Sequence, residues 1–252
     1  MLIYKSNIAY DGTEFQGFQS QREKRTVQDV LEEGLRRIGW QGSRIKAAGR
    51  TDQGVHARGQ VISYEMDWPH GVERLTDALN ANIPPDVAVW QTAEADEGFH
   101  PRFSAVSRRY RYHILCSPYR NPLQERYTWR VWPAPDISLM QDAATLLLGE
   151  HDFAAFGRPP IPGGHTIRMV FQADWLQENQ KIQLDITANA FLYHMVRRLV
   201  AMMVAVGSSR LDVSGVADLL DKPDSRWEGS LAPASGLCLE EVCYQETVNT
   251  EY

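Results

Sequence analysis

Hydrophobic residues recur along the chain in two patterns, one typical of strands and one typical of helices. Extended runs that are rich in apolar and aromatic residues predict strands at residues 2–10, 87–92, 106–115, 167–176, 181–187 and 238–244. Helical spacing of apolar residues predicts helices at residues 27–38, 72–82, 137–148, 190–206 and 213–220. This order of elements predicts an α+β fold, with residues 1–104 and 105–252 as two units that follow a similar plan.

The helix predicted at residues 190–206 is apolar on nearly every side, so we expect it at the centre of its unit. Asn189 is its expected N-cap. His194, Arg197 and Arg198 interrupt the apolar run with a spacing that puts them on one side. An unpaired buried guanidinium costs several kcal/mol, so the sequence requires a carboxylate or a phosphate there. His194 by itself is more often a core histidine than a catalytic one.

Composition and charge narrow the class of protein. The chain has 252 residues, no run of about 18 apolar residues, no signal-peptide pattern, and three cysteines without metal-ligand spacing. We therefore expect a cytoplasmic protein with no membrane partner. The net charge of −6 argues weakly against a nucleic-acid binder, but the basic residues are grouped along the chain.

One polar stretch, residues 47–57, suggests chemistry. In it Gly49 and Gly54 bracket the triplet Arg50-Thr51-Asp52. Glycine is used where the backbone needs a positive φ or a close approach, so this arrangement presents the Asp52 carboxylate at a defined place. Taken alone, the stretch favours an ordinary polar turn between strands, and only the segments further along the chain change this interpretation.

Two further segments have the composition of an RNA-binding surface. The loop at residues 13–22 combines Phe15, Phe18, Gln19 and Arg22, which suit stacking on bases and contact with phosphates. An alternative is that both phenylalanines anchor the loop on the core, and the sequence does not decide between the two.

The strand at residues 106–115 carries Arg108, Arg109, Tyr110 and Arg111 in succession. Neighbouring cations repel each other in a sheet, so a polyanion would stabilise this strand. An exposed face with stacked arginine and tyrosine side chains is the alternative. We interpret the strand as favouring RNA.

Common catalytic signatures are missing from the sequence. It has no P-loop, no dinucleotide fingerprint, no zinc-protease or serine-hydrolase motif and no CxxC pair. What remains is one glycine-framed carboxylate, one tyrosine on an arginine-rich strand and one arginine on an apolar helix. Such a set suits chemistry at a nucleoside without a cofactor or a metal.

Several motifs, taken in order, resemble the tRNA pseudouridine synthase A family. The stretch at residues 48–57 resembles its active-site motif, and residues 10–19 resemble its amino-terminal signature. Residues 99–105 and 108–112 resemble its central strand, residues 190–197 its second-domain helix and residues 236–239 its last strand. The similarity extends from residue 8 to about residue 244.

The resemblance implies isomerisation of uridine to pseudouridine in the anticodon stem-loop of tRNA, around nucleotides 38 to 40. By motif, Asp52 is the catalytic aspartate, Arg197 pairs with it, and Tyr110 packs on the flipped base and could remove the C5 proton. Arg50 helps to open the stem and Leu237 lines the uracil pocket. Further expected RNA contacts are Phe18, Gln19, Arg22, Arg108, Arg109, Arg111 and His194.

The family's fold is an antiparallel-rich mixed sheet flanked by helices, in two similar halves with a basic cleft between them. The resemblance also implies a homodimer that binds tRNA rather than DNA and needs no cofactor or metal. Two other functions stay open: a catalytically silent RNA-binding module of the same fold, and a glycosidase-like nucleoside enzyme, which would need a second acidic residue.

One position departs from the family pattern. His165 stands where an arginine is expected before Thr166-Ile167, and it follows an irregular loop, residues 157–165, that has few cations. We expect a weaker or pH-dependent phosphate contact at this position.

Overall fold

The structure is a computed structural model that describes residues 1–159, 161, 163–222 and 226–245. Its strands are β1 (Leu2–Tyr10), β2 (Lys46–Ala47), β3 (His56–Met66), β4 (Val87–Ala95), β5 (Ala105–Cys116), β6 (Trp129–Val131), β7 (Gly149–Asp152), β8 (Ile167–Glu178), β9 (Lys181–Ala188) and β10 (Leu237–Tyr244). Its α-helices are α1 (Val27–Arg37), α2 (Val72–Asn80), α3 (Pro122–Glu125), α4 (Ile137–Thr145), α5 (Met195–Gly207) and α6 (Val213–Asp221). Strands and helices are mixed along the chain, which confirms the predicted α+β class.

The chain forms two compact units. The first comprises Met1–Arg108 together with the segment that begins at Leu239, and the second comprises Arg109–Cys238. Strand β10 belongs mainly to the first unit because it lies beside β3. The two backbones approach so closely that a Cβ on Gly59 would lie 2.3 Å from the carbonyl oxygen of Glu240. The sequence had assigned all residues after 104 to one unit.

The first unit is a sheet in the order β4-β1-β3-β10, with β2 paired to β3. Strand β1 is antiparallel to both β3 and β4. Helix α1 is capped by Thr26, whose side chain accepts a hydrogen bond from the Asp29 backbone N–H. Leu31 and Leu35 on its inner face are completely buried. The amphipathic pattern of α1 therefore serves to bury one face of the helix within this unit, where α1 also contacts α2.

The second unit is a sheet in the order β5-β9-β8-β7, and β6 pairs with β5 in parallel. The β8–β9 and β7–β8 pairs are antiparallel, so the sheet is mixed and mainly antiparallel, as predicted. Helix α5 packs against α4, which packs against β8. The Gln141 side chain fastens α4 to β8, because it donates to the Ala173 carbonyl and accepts from the Trp175 N–H.

Helix α5 differs from the prediction, since it begins at Met195 rather than at residue 190. Asn189 does not cap the helix. Its side-chain oxygen instead accepts hydrogen bonds from the N–H groups of Ala190 and Met169, which holds the chain in an irregular turn. As expected, the helix itself is central, with eleven of its thirteen residues buried. The sequence also missed the short elements α3 and β7.

Within the described part of the chain, no helix has the length and apolarity needed to cross a membrane.

Candidate active site

Asp52 lies in the loop that joins β2 to β3, and its side chain is half-buried. The loop closes in a turn in which the Val55 N–H donates to the Asp52 carbonyl at 3.2 Å. Gly54 occupies this turn with φ +77°, a conformation that side-chain-bearing residues rarely adopt. Gly49 has no positive φ, and a Cβ added there would meet nothing within 4 Å. The expectation of a special backbone position is therefore confirmed for Gly54 and wrong for Gly49.

A second loop, residues 11–18, contacts the backbone of the Asp52 loop and is called the supporting loop below. The Phe18 N–H donates to the Thr51 carbonyl at 3.1 Å. Gly17 has φ +93°, and a Cβ on it would lie 2.9 Å from the Thr51 carbonyl oxygen. Gly12 is even tighter, since its Cβ would lie 2.0 Å from the Val55 oxygen. Because no side chain fits between the two loops, the position of one fixes the position of the other.

Two buried polar side chains, Tyr10 and Gln60, hold the Asp52 loop to the sheet, and neither contact was predicted. The Tyr10 hydroxyl, at the end of β1, lies 2.8 Å from the Thr51 hydroxyl. Gln60 on β3 is completely buried, donates to the Gly49 carbonyl at 3.1 Å and accepts from the Val61 N–H. A glutamine directly before the apolar pair Val61-Ile62 of a strand is the signal that could have revealed this role of Gln60.

His56 begins β3 four residues after Asp52 and is buried. Its Nδ1 accepts a hydrogen bond from the Gly12 N–H at 3.0 Å. This bond requires Nδ1 to be without a proton, so the 3.2 Å approach of Asp11 Oδ1 to the same nitrogen is a contact and not an ion pair. His56 thereby joins the Asp52 loop to the supporting loop.

The phenylalanines of the supporting loop are not exposed, so that expectation is wrong. Phe15 is 1% exposed and Phe18 is 2% exposed, and the Phe18 ring packs near Tyr10. They are loop anchors, the alternative that the sequence left open. Gln19 is half-buried, while Arg22 is exposed and lies 3.3 Å from Glu23.

Arg108 ends the first unit and lies against backbone oxygens. Its guanidinium donates to the carbonyls of Arg102, Ala105 and, at 3.4 Å, Ala48. The contact with Ala48 places the Arg108 guanidinium beside the start of the 48–57 motif, which contains Asp52. Arg50, which belongs to the same motif, is exposed.

Arg109 and Arg111 have a partner within the protein. Arg111 binds the buried Asp185 carboxylate through Nε at 3.0 Å and Nη2 at 2.9 Å, and an Arg109 nitrogen lies 3.6 Å from the same carboxylate. An internal carboxylate thus already pairs with these two cations, and the predicted contact of Arg109 and Arg111 with RNA stays a prediction. The charge repulsion on β5 is relieved by an aspartate on the neighbouring strand β9.

Tyr110 lies between these two arginines in sequence and is half-buried. Its ring packs edge-on against Phe191, with the ring centroids 5.2 Å apart. Phe191 belongs to the irregular turn before α5. The turn that replaced the predicted first helical residues thus positions the Tyr110 ring.

Arg197 is half-buried in the first turn of α5. Its Nε donates to the Ala232 carbonyl at 2.8 Å, and the neighbouring Pro233 carbonyl accepts from the Tyr112 hydroxyl at 2.8 Å. Burial raises the pKa of Tyr112, and the positive charge of Arg197 partly opposes this rise. Leu237 begins β10 after the same 232–236 segment and is 5% exposed. Arg197 therefore holds the segment that leads into β10, the strand that begins at Leu237.

His194 does not lie on the same side of a helix as Arg197 and Arg198, contrary to the prediction. It is the N-cap of α5, with a left-handed backbone (φ +66°), and its ring stacks on Tyr193 with centroids 3.7 Å apart. The spacing argument failed because the helix had not yet begun at this residue.

His165 is exposed, and the buried Arg168 lies beside it, with the Arg168 guanidinium 3.2 Å from the His165 ring nitrogen Nδ1. The Arg168 guanidinium donates to the carbonyls of His165 and Ile167. Two residues of the preceding loop, 160 and 162, lie outside the described chain. Among the residues that are described, no group of three or more His, Cys, Asp or Glu side chains could hold a metal ion.

The candidate residues thus form one set in each unit. The first unit contains Asp52 and Arg50 in one loop with a fixed backbone, and Arg108 beside that loop. The second unit contains Tyr110, Arg197 and Leu237. The pairing of Asp52 with Arg197 stays a prediction.

Comparison with known proteins identifies the family. The model of the family described as tRNA pseudouridine synthase matches residues 7–104 and 143–245. Proteins named tRNA pseudouridine synthase A are similar over nearly their whole length. The one from Citrifermentans bemidjiense is 39% identical, with 95% of this chain and 96% of the relative covered, and the one from Bacillus subtilis is 37% identical, with 95% and 98% covered. The one from Aeromonas hydrophila is 41% identical, with 94% and 88% covered.

Among solved structures, a Cbf5-Nop10-Gar1 complex is similar at a TM-score of 0.38 and 13% identity, with 80% of this chain and 44% of that chain covered. The family model covers most of the chain, including Arg50, Asp52, Arg197 and Leu237, and the relatives match the chain almost from end to end. The chain belongs to the tRNA pseudouridine synthase family.

Proposed function

We propose that this protein isomerises uridine to pseudouridine at positions 38 to 40 of the tRNA anticodon stem-loop, with Asp52 as the catalytic carboxylate. The observation that carries the proposal is the fixed Asp52 loop within a chain that belongs to this family. The loop is held by Tyr10, Gln60 and the glycines of the supporting loop. Such rigidity suits a carboxylate that must meet a ribose in one orientation.

The reaction exchanges one glycosidic bond for another. The N1–C1′ bond breaks, the C5–C1′ bond forms, C5 loses its proton and N1 gains one. No electrons are lost or gained overall, so the reaction itself requires neither a redox cofactor nor ATP. Asp52 either attacks the ribose at C1′ or removes a proton from it.

The other candidates receive roles around the flipped base. Tyr110 packs on the uracil ring and its hydroxyl is suited to take the C5 proton, because Phe191 fixes the ring edge-on. Arg197 neutralises Asp52, and Leu237 supplies an apolar wall for the uracil. Arg50, being exposed, is suited to enter the stem and fill the space of the flipped base. Unstacking a base costs a few kcal/mol, which these contacts offset.

The test is tritium release from tRNA transcripts labelled at C5 of uridine, followed by mapping of the modified positions. Asp52→Asn should abolish release and leave tRNA binding within a few-fold. Asp67→Asn is the matched control, because Asp67 is an exposed aspartate just after β3. Release by the Asp52 variant would remove this residue from the mechanism. Binding without release by the wild-type protein would favour the silent RNA-binding module, and modification outside 38–40 would overturn the assigned positions.

We also propose that the protein works as a cytoplasmic homodimer, which rests on the family resemblance. Sedimentation equilibrium tests the dimer directly. A monomer at micromolar concentration, with full activity, would overturn it.

A further inference from the structure

Three arginines outside the candidate set converge at the start of α5. Arg158 lies beside Tyr193, whose N–H donates to the Arg158 carbonyl at 3.0 Å. Arg198 is in the first turn of α5, where its N–H donates to the His194 carbonyl at 3.0 Å. Arg226 precedes Trp227, whose N–H donates to Ala155, three residues before Arg158, at 3.1 Å. Three separate segments therefore bring the three arginines to the same end of α5.

These arginines affect one another electrostatically. Partial burial lowers the pKa of Arg198, and the positive charges of Arg158 and Arg226 lower it further. A lowered pKa means that the charged form of Arg198 is disfavoured in the protein without ligand. A bound anion would oppose the repulsion among the three positive charges.

The cluster differs from the other arginine groups of the second unit in lacking an acidic partner. Arg111 is bound by Asp185, and Arg120 and Arg130 lie close to Glu125. For Arg158, Arg198 and Arg226, the described residues supply no carboxylate in ion-pair contact. Solvation of exposed arginines is the ordinary alternative, but it does not account for a half-buried Arg198 between two like charges.

Two features make the cluster suitable for a phosphate group of a nucleic acid. The backbone N–H groups of the first turn of α5 add partial positive charge at the same place. The Tyr193 ring, stacked on His194, is 56% exposed and offers a surface for a ribose or a base beside that phosphate.

We propose that Arg158, Arg198 and Arg226 form a phosphate-binding site for the backbone of the RNA substrate, at the edge of the second unit's Arg197 region. That the ligand is tRNA rests on the proposed function. The site itself rests on the convergence of the three guanidinium groups and the absence of a carboxylate partner for them among the described residues. The proposed site differs from Arg109 and Arg111, the arginines of β5, because those two have Asp185 as an internal partner.

The experiment measures tRNA affinity at several salt concentrations for wild-type protein and for Arg158→Gln, Arg226→Gln and the double variant. Both side chains are exposed, so the fold should persist, which circular dichroism checks. Arg210→Gln is the matched control, because Arg210 is exposed and lies beyond the opposite end of α5, roughly 20 Å away by helix length. Arg158→Lys, which keeps the charge, should retain most of the affinity.

We expect each Gln variant to weaken tRNA binding about five- to tenfold and to reduce the salt slope by about one. The single-turnover rate at saturating tRNA should stay within about threefold, because the arginines do not touch the reacting atoms. Unchanged affinity and slope in the double variant, or an equal loss in Arg210→Gln, would overturn the site. If the double variant fails to fold, the same criteria apply to Arg226→Gln.

The same data separate this inference from the proposed function. If the wild-type protein binds tRNA with the expected dependence on Arg158 and Arg226 but forms no pseudouridine, the site stands and the enzymatic proposal fails. If pseudouridine forms and the variants bind like the wild type, the enzymatic proposal stands and the site is rejected.

Discussion

The hydroxyl of Tyr10 lies 2.8 Å from the hydroxyl of Thr51, and both side chains are buried. Thr51 immediately precedes Asp52, so the end of β1 directly fixes the backbone of the proposed catalytic residue. Three further hydrogen bonds hold the same loop. Phe18 and Gln60 donate to the carbonyls of Thr51 and Gly49, and the Gly12 N–H donates to His56. The sheet of the first unit therefore acts as the support on which the carboxylate is oriented.

The Tyr10–Thr51 bond gives the first prediction. Tyr10→Phe should lower kcat by roughly tenfold or more, because small displacements of a reacting group are costly, and should lower the free energy of unfolding by about 1 kcal/mol. Tyr4→Phe is the control, since Tyr4 is a buried tyrosine on the same strand with no hydroxyl hydrogen bond within the described chain. Equal effects of the two variants on kcat would mean that the Thr51 contact does not orient Asp52.

A second prediction concerns the fit between the two loops. Gly17→Ala should destabilise the protein by about 1–3 kcal/mol, because it forces a positive φ and a clash with the Thr51 carbonyl. Gly49→Ala, three residues before Asp52, should change stability little, since space is open around it. Thermal unfolding measures both. Similar melting temperatures for the two variants would contradict the close packing of the loops.

The third prediction tests whether Asp185 neutralises the arginine-rich strand. Asp185→Asn should destabilise the protein by about 1–3 kcal/mol, a value below that of fully buried pairs because Arg109 and Arg111 are partly exposed. Asp142→Asn, at an exposed position of α4, should be close to neutral. Chemical denaturation gives both values. A neutral Asp185 variant would mean that the arginines of β5 need no internal partner.

The Tyr110 hydroxyl is the subject of the fourth prediction. Tyr110→Phe should slow pseudouridine formation by roughly 10²–10⁴ if the hydroxyl takes part in proton transfer, while the stacking of the ring is kept. Tyr119→Phe, an 80% exposed tyrosine of the same unit, serves as the control. Single-turnover tritium release is the measurement. A rate equal to that of the wild type would leave Tyr110 with a packing role alone.

Local patterns in the sequence predicted most elements because short-range rules govern them. Thr26 caps α1 as expected, since its partner Asp29 is only three residues away. The predicted start of α5 was wrong. The Asn189 side-chain oxygen accepts a hydrogen bond from the N–H of Met169, twenty residues earlier, and this contact overrides the local helix signal. A tertiary partner of this kind cannot be inferred from periodicity.

The candidate site shows the same division. The special backbone position of Gly54 could be predicted from the sequence, because a glycine beside a polar triplet is a local signal. The partner of Arg111 could not, because Asp185 is 74 residues away in the chain. Phe18 was ambiguous for another reason: an aromatic residue in a polar loop has the same local pattern whether it binds a ligand or anchors the loop.

The position of β10 affects how the protein is made. The sheet of the first unit is completed by residues that follow Leu239, whereas its other strands end by residue 95. During synthesis, the edge of β3 therefore stays open until almost the entire second unit has left the ribosome. Contacts so distant in sequence slow folding, and an open strand edge attracts other chains. A nascent chain of this protein is thus most exposed to aggregation, and most in need of a chaperone, in the interval before its final strand emerges.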